Sequence, residues 1–360
     1  MKIDIFVGGL SATLNARILP LTSVLKKFNV ECNIIPPIDW HSFMKCKLGN
    51  ILSVAFTHHV NRYIDVLSDP SDVVIIGRTS TPQMYLLQKL LKSRNTKVIF
   101  DLDDALFLPT GRLFGVNIRP GSFCLEGIIK NADFVTVDNH YLLKYVQSLN
   151  QNSVLIHNPI DVDLFVPKSK SRSNEITIGW HGNPRAHYKN LRMLIKPLEK
   201  TAHKCDIKFK IVSYLGDLKV KQMFRTLEKV IEVDYGLDHW VPLAKYSQLL
   251  SDFDIMVAPL QKTSWYEGKS ALRVGLGMAM GIPVVASPVG EQKYIIKHGI
   301  NGFLAKNEEE WYQYLKILIE DKSLRMEMGK NGRETAENLF SLDACGKKLF
   351  NILTKLFKNM

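Results

Sequence analysis

Residues 265–286 read WYEGKSALRVGLGMAMGIPVVA, and this stretch sets the architecture. WYEGKS is polar and carries a glycine, so it reads as a loop. ALRVGLGMAM is free of proline and mostly apolar, which reads as a buried helix. Gly281 and Pro283 end that helix. PVVA is then a continuous apolar run, as expected of a strand covered on both faces. The small residues Gly275, Gly277, Ala279 and Gly281 would let the helix pack tightly on the sheet. Loop, helix and buried strand in this order belong to a parallel α/β sheet.

The same stretch has the makings of an anion site. Ser270 is placed to cap a helix beginning near Ala271. The first turn of a helix offers free N–H groups and the positive end of its dipole. Gly268 would let a ligand approach the backbone, Lys269 precedes the cap, and Arg273 lies in the first turn. Together these suit a diphosphate. The plain alternative is an ordinary capped helix with solvated cations.

Outward from this stretch, short apolar runs alternate with helical patterns. Ile3–Val7, Val73–Gly77, Val98–Asp101, Phe134–Val137 and Val154–His157 read as strands. Met84–Lys92 and Tyr141–Leu149 read as helices between them. The pattern breaks at Asn158–Pro159, Pro167 and the polar run KSKSRSNE at 168–175. A second series follows, with strands at Ile176–Trp180, Phe209–Val212, Ile255–Ala258 and Pro283–Ala286. A chain of 360 residues accommodates two such domains. Open parallel sheets bind ligands at the carboxyl ends of their strands, so a cleft between two of them is the default site.

Composition narrows the function. The 46% hydrophobic and 23% charged content is that of a soluble globular chain. Cys32, Cys46, Cys124, Cys205 and Cys345 are scattered without a CxxC pair. That argues against a zinc or redox site and suits a reducing cytoplasm. No His/Cys/Asp group has metal-ligand spacing. The N-terminal apolar run is too short for a signal peptide, and Val274–Gly290 is broken by glycine and proline, unlike a membrane span. The net charge of +12 could serve nucleic acid, anionic lipid or a phosphate-rich substrate. The basic residues are dispersed and paired aromatic platforms are absent, so no nucleic-acid partner is expected. Attraction to an anionic membrane surface and a merely solvated basic surface both stay open.

Several segments carry a family resemblance. They are FDLDDALF at 100–107, the stretch 132–167 ending in HNPIDVDLFVP, IGWHGNPRAHYK at 178–189, SDFDIMVAPL at 251–260, the opening stretch with Ser287–Gly290, and HGINGFL at 298–304. In this order they resemble the family 4 retaining glycosyltransferases, and within them the branch with a Gly-Lys-Ser donor loop. The resemblance implies the α/β GT-B architecture, with two Rossmann-like doubly wound domains facing an interdomain cleft. Residues 1–165 would form the acceptor-side domain and 166–343 the nucleotide-sugar donor domain. Helix 344–360 would pack back on the first.

The resemblance also implies roles. Arg185 and Lys189 are the nearest matches to the pair that grips the donor diphosphate. Lys269 and Ser270, with Gly268 and Arg273, would meet it from the other side, and Glu267 would stand for a donor-loop glutamate. This arrangement needs no metal and no cofactor beyond the nucleoside-diphosphate sugar, which is the substrate. Gly9, in the Gly8–Gly9 pair after the first strand, would approach the donor sugar. Asp101, Asp103 and Asp104 follow a strand, and Asp103 stands about where relatives have a histidine. Asp103 or Asp104 would touch the acceptor hydroxyl or the sugar as the catalytic carboxylate; the bland alternative is N-capping and solvated loop charge. Most members hold the ribose with a second glutamate, and here that position is Leu276.

Trp180, Trp240 and Trp265 could stack on a base or pack in a core. His157 and His181 read as hydrogen-bonded structural histidines rather than catalysts. The expected reaction is sugar transfer to a glycan or lipid-linked acceptor in cell-envelope polysaccharide or glycoconjugate synthesis. The protein would be cytoplasmic, with Arg17, Lys26 and Lys27 favouring peripheral contact with an anionic inner membrane face. The rivals are a degenerate, non-catalytic GT-B protein, a basic nucleic-acid binder and a sugar-nucleotide epimerase of the same fold.

Overall fold

The computed structural model describes residues 1–7, 17, 19–35, 63–69, 71–78, 80–109, 111–113, 116–118, 124–167, 175–213, 215–237, 239 and 241–358. Gly9 and Trp240 lie outside the described residues. The chain divides into two compact units, Met1–Pro159 with Leu342–Met360, and Ile160–Ser341.

The first unit is built on a six-stranded parallel sheet. Its strands are β1 (Lys2–Val7), β2 (Glu31–Ile35), β3 (Val73–Gly77), β4 (Lys97–Leu102), β5 (Phe134–Val137) and β6 (Ser153–Leu155), in the order β2-β1-β3-β4-β5-β6. All five residues of β3 are buried, as a central strand covered on both faces requires. β2 lies at the edge and alternates between exposed and half-buried positions before ending in buried Ile35. Helix Pro82–Ser93 starts where the Thr81 hydroxyl accepts from the Met84 N–H, with proline at its first position. Its buried Met84, Leu87 and Leu91 recur at helical spacing. Helix Leu342–Lys358 completes this unit, burying Cys345, Leu349, Ile352, Leu353 and Leu356 against Ile3, Ile5 and Leu25.

The compact units divide at Pro159/Ile160, a few residues before the expected 165/166. Ile160 and Phe165 are buried with Val274 and Phe340, and the Ile160 N–H donates to the Phe340 carbonyl at 2.7 Å. The apolar residues of this segment therefore belong to the second core, and the polar run after them is not the boundary.

The second unit repeats the plan. Its strands are β7 (Ile176–His181), β8 (Ile207–Val212), β9 (Glu232–Asp234), β10 (Ile255–Ala258), β11 (Val284–Ala286) and β12 (Phe303–Leu304), in the order β9-β8-β7-β10-β11-β12. Every pairing is parallel. Helix Leu272–Ala279 lies against β10 and β11. A Cβ on Gly277 would stand 2.7 Å from the Met256 sulfur and 3.0 Å from a Val284 methyl, so glycine is what permits this approach. Gly275 looks the other way, toward Ile160 and Phe340. Among the described residues no helix is long and apolar enough to cross a membrane.

Candidate functional site

The site grows from the carboxyl end of β7. Gly182 leaves the strand at φ +133°, a conformation that side-chain-bearing residues rarely adopt. A Cβ there would stand 2.6 Å from Arg273 Nη2. The loop then turns: the Asn183 side chain accepts from the Arg185 N–H, and Pro184 opens a short 3-10 helix. Asn190, fully buried in the middle of helix Tyr188–Arg192, orients His187 through a 2.8 Å contact between Nδ2 and the ring Nδ1.

Arg273 ties this loop to helix Leu272–Ala279. Its Nε donates to the His181 carbonyl at 2.7 Å, and its guanidinium lies 4.9 Å from the centre of the Trp180 ring. Its Nη2 is 3.5 Å from His187 Nε2. A second tie comes from Tyr266, whose hydroxyl donates to the Ala186 carbonyl at 3.1 Å. Lys269 sits over the Trp265 ring, with Nζ 4.4 Å from its centre. Lys269, Arg273, His181 and His187 thus form one positively biased cluster.

Its electrostatics follow. Burial, then the charges of Arg273 and Lys269, push the His187 imidazole down to about 3. Burial and Arg273 do the same to His181, also to about 3. Both rings are neutral at pH 7. Burial lowers Arg273 to about 10, so it keeps its charge. His181 Nδ1 meets the Tyr246 hydroxyl at 2.8 Å, while its Nε2 is buried with no hydrogen-bond partner among the described residues.

The expected helix cap changes, and the other expected residues meet the following neighbours. Ser270 is not the helix cap: that position is Ala271, which offers no side-chain hydrogen bond. WYEGKS is not all loop, because Ser264–Glu267 forms one helical turn capped by Thr263. Gly268 ends that turn, buried and at an ordinary φ of −86°. Glu267 is engaged by Lys293 at 2.7 Å and by the Gly290 N–H. Arg185 is paired with Asp217 at 3.2 Å rather than with the cluster. Lys189 is exposed and lines a groove with Arg192, Lys196 and Lys219. Leu276 is buried in the apolar core with Met256 and Phe340. Trp180 is fully buried and Trp265 is 38% exposed. His187, which the sequence reading passed over between Arg185 and Lys189, is the loop residue that meets Arg273. Its register three residues before Asn190 is the only sequence trace of that role.

In the first unit, the expected carboxylates sit at the end of β4. Arg78, at φ +46° just past β3, ion-pairs with Asp103 at 3.6 Å and with Asp104. Burial raises the Asp103 carboxyl despite Arg78. Asp138, just past β5, is raised well above the usual range by burial. Its Oδ1 accepts from Asn139 at 2.6 Å, while Oδ2 has no hydrogen-bond partner among the described residues. Arg17 is not at a basic surface. It is 1% exposed and makes two 2.8 Å bonds to Asp101, a third to the Ile156 carbonyl and one of 3.1 Å to Asn158. The Thr136 hydroxyl also donates to Asp101. Among the described residues no group of three or more His, Cys, Asp or Glu side chains could hold a metal ion.

Comparison with known proteins places these features. Residues 175–321 match the family model described as "Glycosyl transferases group 1". A sucrose-phosphate synthase from Thermosynechococcus elongatus superposes with a TM-score of 0.72 at 13% identity, covering all of both chains. A glycosyltransferase from Rickettsia africae gives 0.70 at 18%, covering 100% of this chain and 99% of its own. The fold is GT-B. Anabaena Alr3699/HepE, solved in complex with UDP, gives 0.67 at 14% over 99% of this chain and 100% of its own. Among curated proteins, "Uncharacterized glycosyltransferase MJ1178" of Methanocaldococcus jannaschii is 24% identical over 238 residues. That match spans 64% of this chain and 61% of the relative.

Proposed function

We propose that this chain transfers a sugar from a nucleoside-diphosphate sugar, with retention at the anomeric carbon, to a glycan or lipid-linked acceptor. The observation that carries the reading is the meeting of Lys269, Arg273 and the loop after β7 at one strand end, within the residues that match the group 1 model. Fixed cations and donors there suit the charge that builds on a leaving nucleoside diphosphate. The likeness to a fold solved with UDP-glucose supports the donor class. In this reading the donor phosphate takes the acceptor proton and no metal is needed. Asp103 or Asp104 would touch the acceptor hydroxyl or the sugar. The family 4 branch, a role in envelope polysaccharide or glycoconjugate synthesis, and peripheral contact with an anionic inner membrane face belong to the same reading. Lys26 and Lys27, in the last turn of helix Leu19–Lys27, would make that contact.

Thermal-shift titration of wild type and Lys269→Ala with UDP, GDP and ADP tests it. A ligand at about 100 times its Kd stabilises by about 2.7 kcal/mol. One nucleotide is expected to stabilise the wild type and not the variant. No response to any of the three would overturn the donor-site reading.

One observation favours a second reading. Leu276 fills, as a core residue, the position where the resemblance places a ribose-binding glutamate. A non-catalytic GT-B protein would bind nucleotide yet release none from any nucleotide-sugar supplied with a glycan acceptor.

A further inference from the structure

His187 and Arg273 present a chemical mismatch. The buried Asn190 carbonyl oxygen accepts the Gln261 N–H at 2.9 Å, which fixes which end of that amide is oxygen. Its Nδ2 therefore faces His187 and donates to the ring Nδ1 at 2.8 Å. A neutral imidazole whose Nδ1 accepts carries its proton on Nε2. That Nε2–H lies 3.5 Å from Arg273 Nη2, which is also a donor. Two donors at this distance cannot bond each other. An oxygen carrying negative charge, placed against both, would satisfy them together. The guanidinium cannot swing away from the contact freely, because its Nε is held by the His181 carbonyl and its plane by Trp180.

We propose that His187 Nε2–H and Arg273 Nη2 form a two-donor cradle for a phosphate oxygen of a nucleoside diphosphate, with His187 the contact that the loop after β7 supplies. The assignment rests on the donor-site reading above and moves the loop's phosphate contact from Arg185 and Lys189 to the residue between them. Arg185 is already engaged by Asp217, which accepts its Nε while capping helix Leu218–Phe224. The electrostatics agree with the geometry. His187 is held neutral by burial and by Arg273 and Lys269. The ring stays neutral with an anion in the cradle, because a proton on Nδ1 would face the Asn190 Nδ2 donor.

The test is calorimetric titration of the full chain with UDP, GDP and ADP, using wild type, His187→Ala and His187→Gln. The glutamine amide keeps an N–H donor on the side chain. His187→Ala is expected to weaken the preferred diphosphate about tenfold. His187→Gln is expected to recover most of that loss. Arg185→Ala is expected to leave the affinity within about twofold. If the wild type binds none of the three nucleotides, the donor-site reading itself fails. If it binds and His187→Ala binds equally well, the cradle assignment fails while the donor site stands. If His187→Gln stays as weak as His187→Ala, the ring is a structural support and the assignment is equally overturned.

Discussion

Arg17→Ala should unfold the first unit far more easily than its single lost side chain suggests. The change removes both 2.8 Å bonds to Asp101 and leaves that carboxylate 4% exposed, with Thr136 still donating to it. It also removes the bond to the Ile156 carbonyl, which Arg17 reaches across 139 positions. Breaking a buried pair from one side costs about 3–5 kcal/mol, because the remaining charge stays in a low-dielectric site. In a unit of about 180 residues each kcal/mol lowers Tm by about 2–4 °C, so the drop is roughly 6–20 °C. Differential scanning calorimetry reads it, with the transition of the second unit as internal reference. Arg17→Met with Asp101→Leu removes both charges and fills similar volume. That pair should melt within about 1–2 kcal/mol of wild type. An Arg17→Ala protein that melts within 2 °C of wild type refutes the argument. So does a double variant no better than the single.

Two further outcomes follow from the structure. Gly182→Ala combines φ +133° with a methyl 2.6 Å from Arg273, so urea denaturation of the second unit should show a loss of about 1–3 kcal/mol. An unchanged midpoint would mean the loop yields there. Asp138 keeps its proton above the ordinary carboxylate range when folded, whereas the unfolded chain releases it near pH 4. Its contribution is therefore lost progressively as pH rises above that value. Asp138→Asn should gain stability relative to wild type as the pH rises above the ordinary carboxylate range, and parallel pH profiles from chemical denaturation would count against the buried neutral acid.

The parallel sheets were readable because their central strands are continuous apolar runs. Val73–Gly77 and Ile255–Ala258 could hardly be anything else, and they are observed as read. β2 escaped notice because ECNII mixes polar and apolar residues, as an edge strand can. The three-residue β9 is too short to leave a pattern. Segment 265–286 stands out in the sequence by its glycines and cations, but its local chemistry does not follow from them. Ser270 looked like a cap, but the helix begins one residue later than that requires. Arg17 looked like surface charge, and nothing local announces an acid partner 84 positions away. His187 was hidden for a similar reason. Its role depends on Asn190 and Gln261 fixing a tautomer, which is a property of three-dimensional neighbours and not of spacing.

The first unit is interrupted in sequence: Met1–Pro159 is finished only by Leu342–Met360. A ribosome therefore delivers the early strands, then all of the second unit, before helix Leu342–Lys358 emerges. At about 5–20 residues per second the intervening stretch takes roughly 10–40 s. Throughout that interval Ile3, Ile5 and Leu25 lack the helix that buries them. The contiguous second unit can close on itself at once. Vectorial synthesis thus exposes every residue of the second unit while the first still lacks helix Leu342–Lys358.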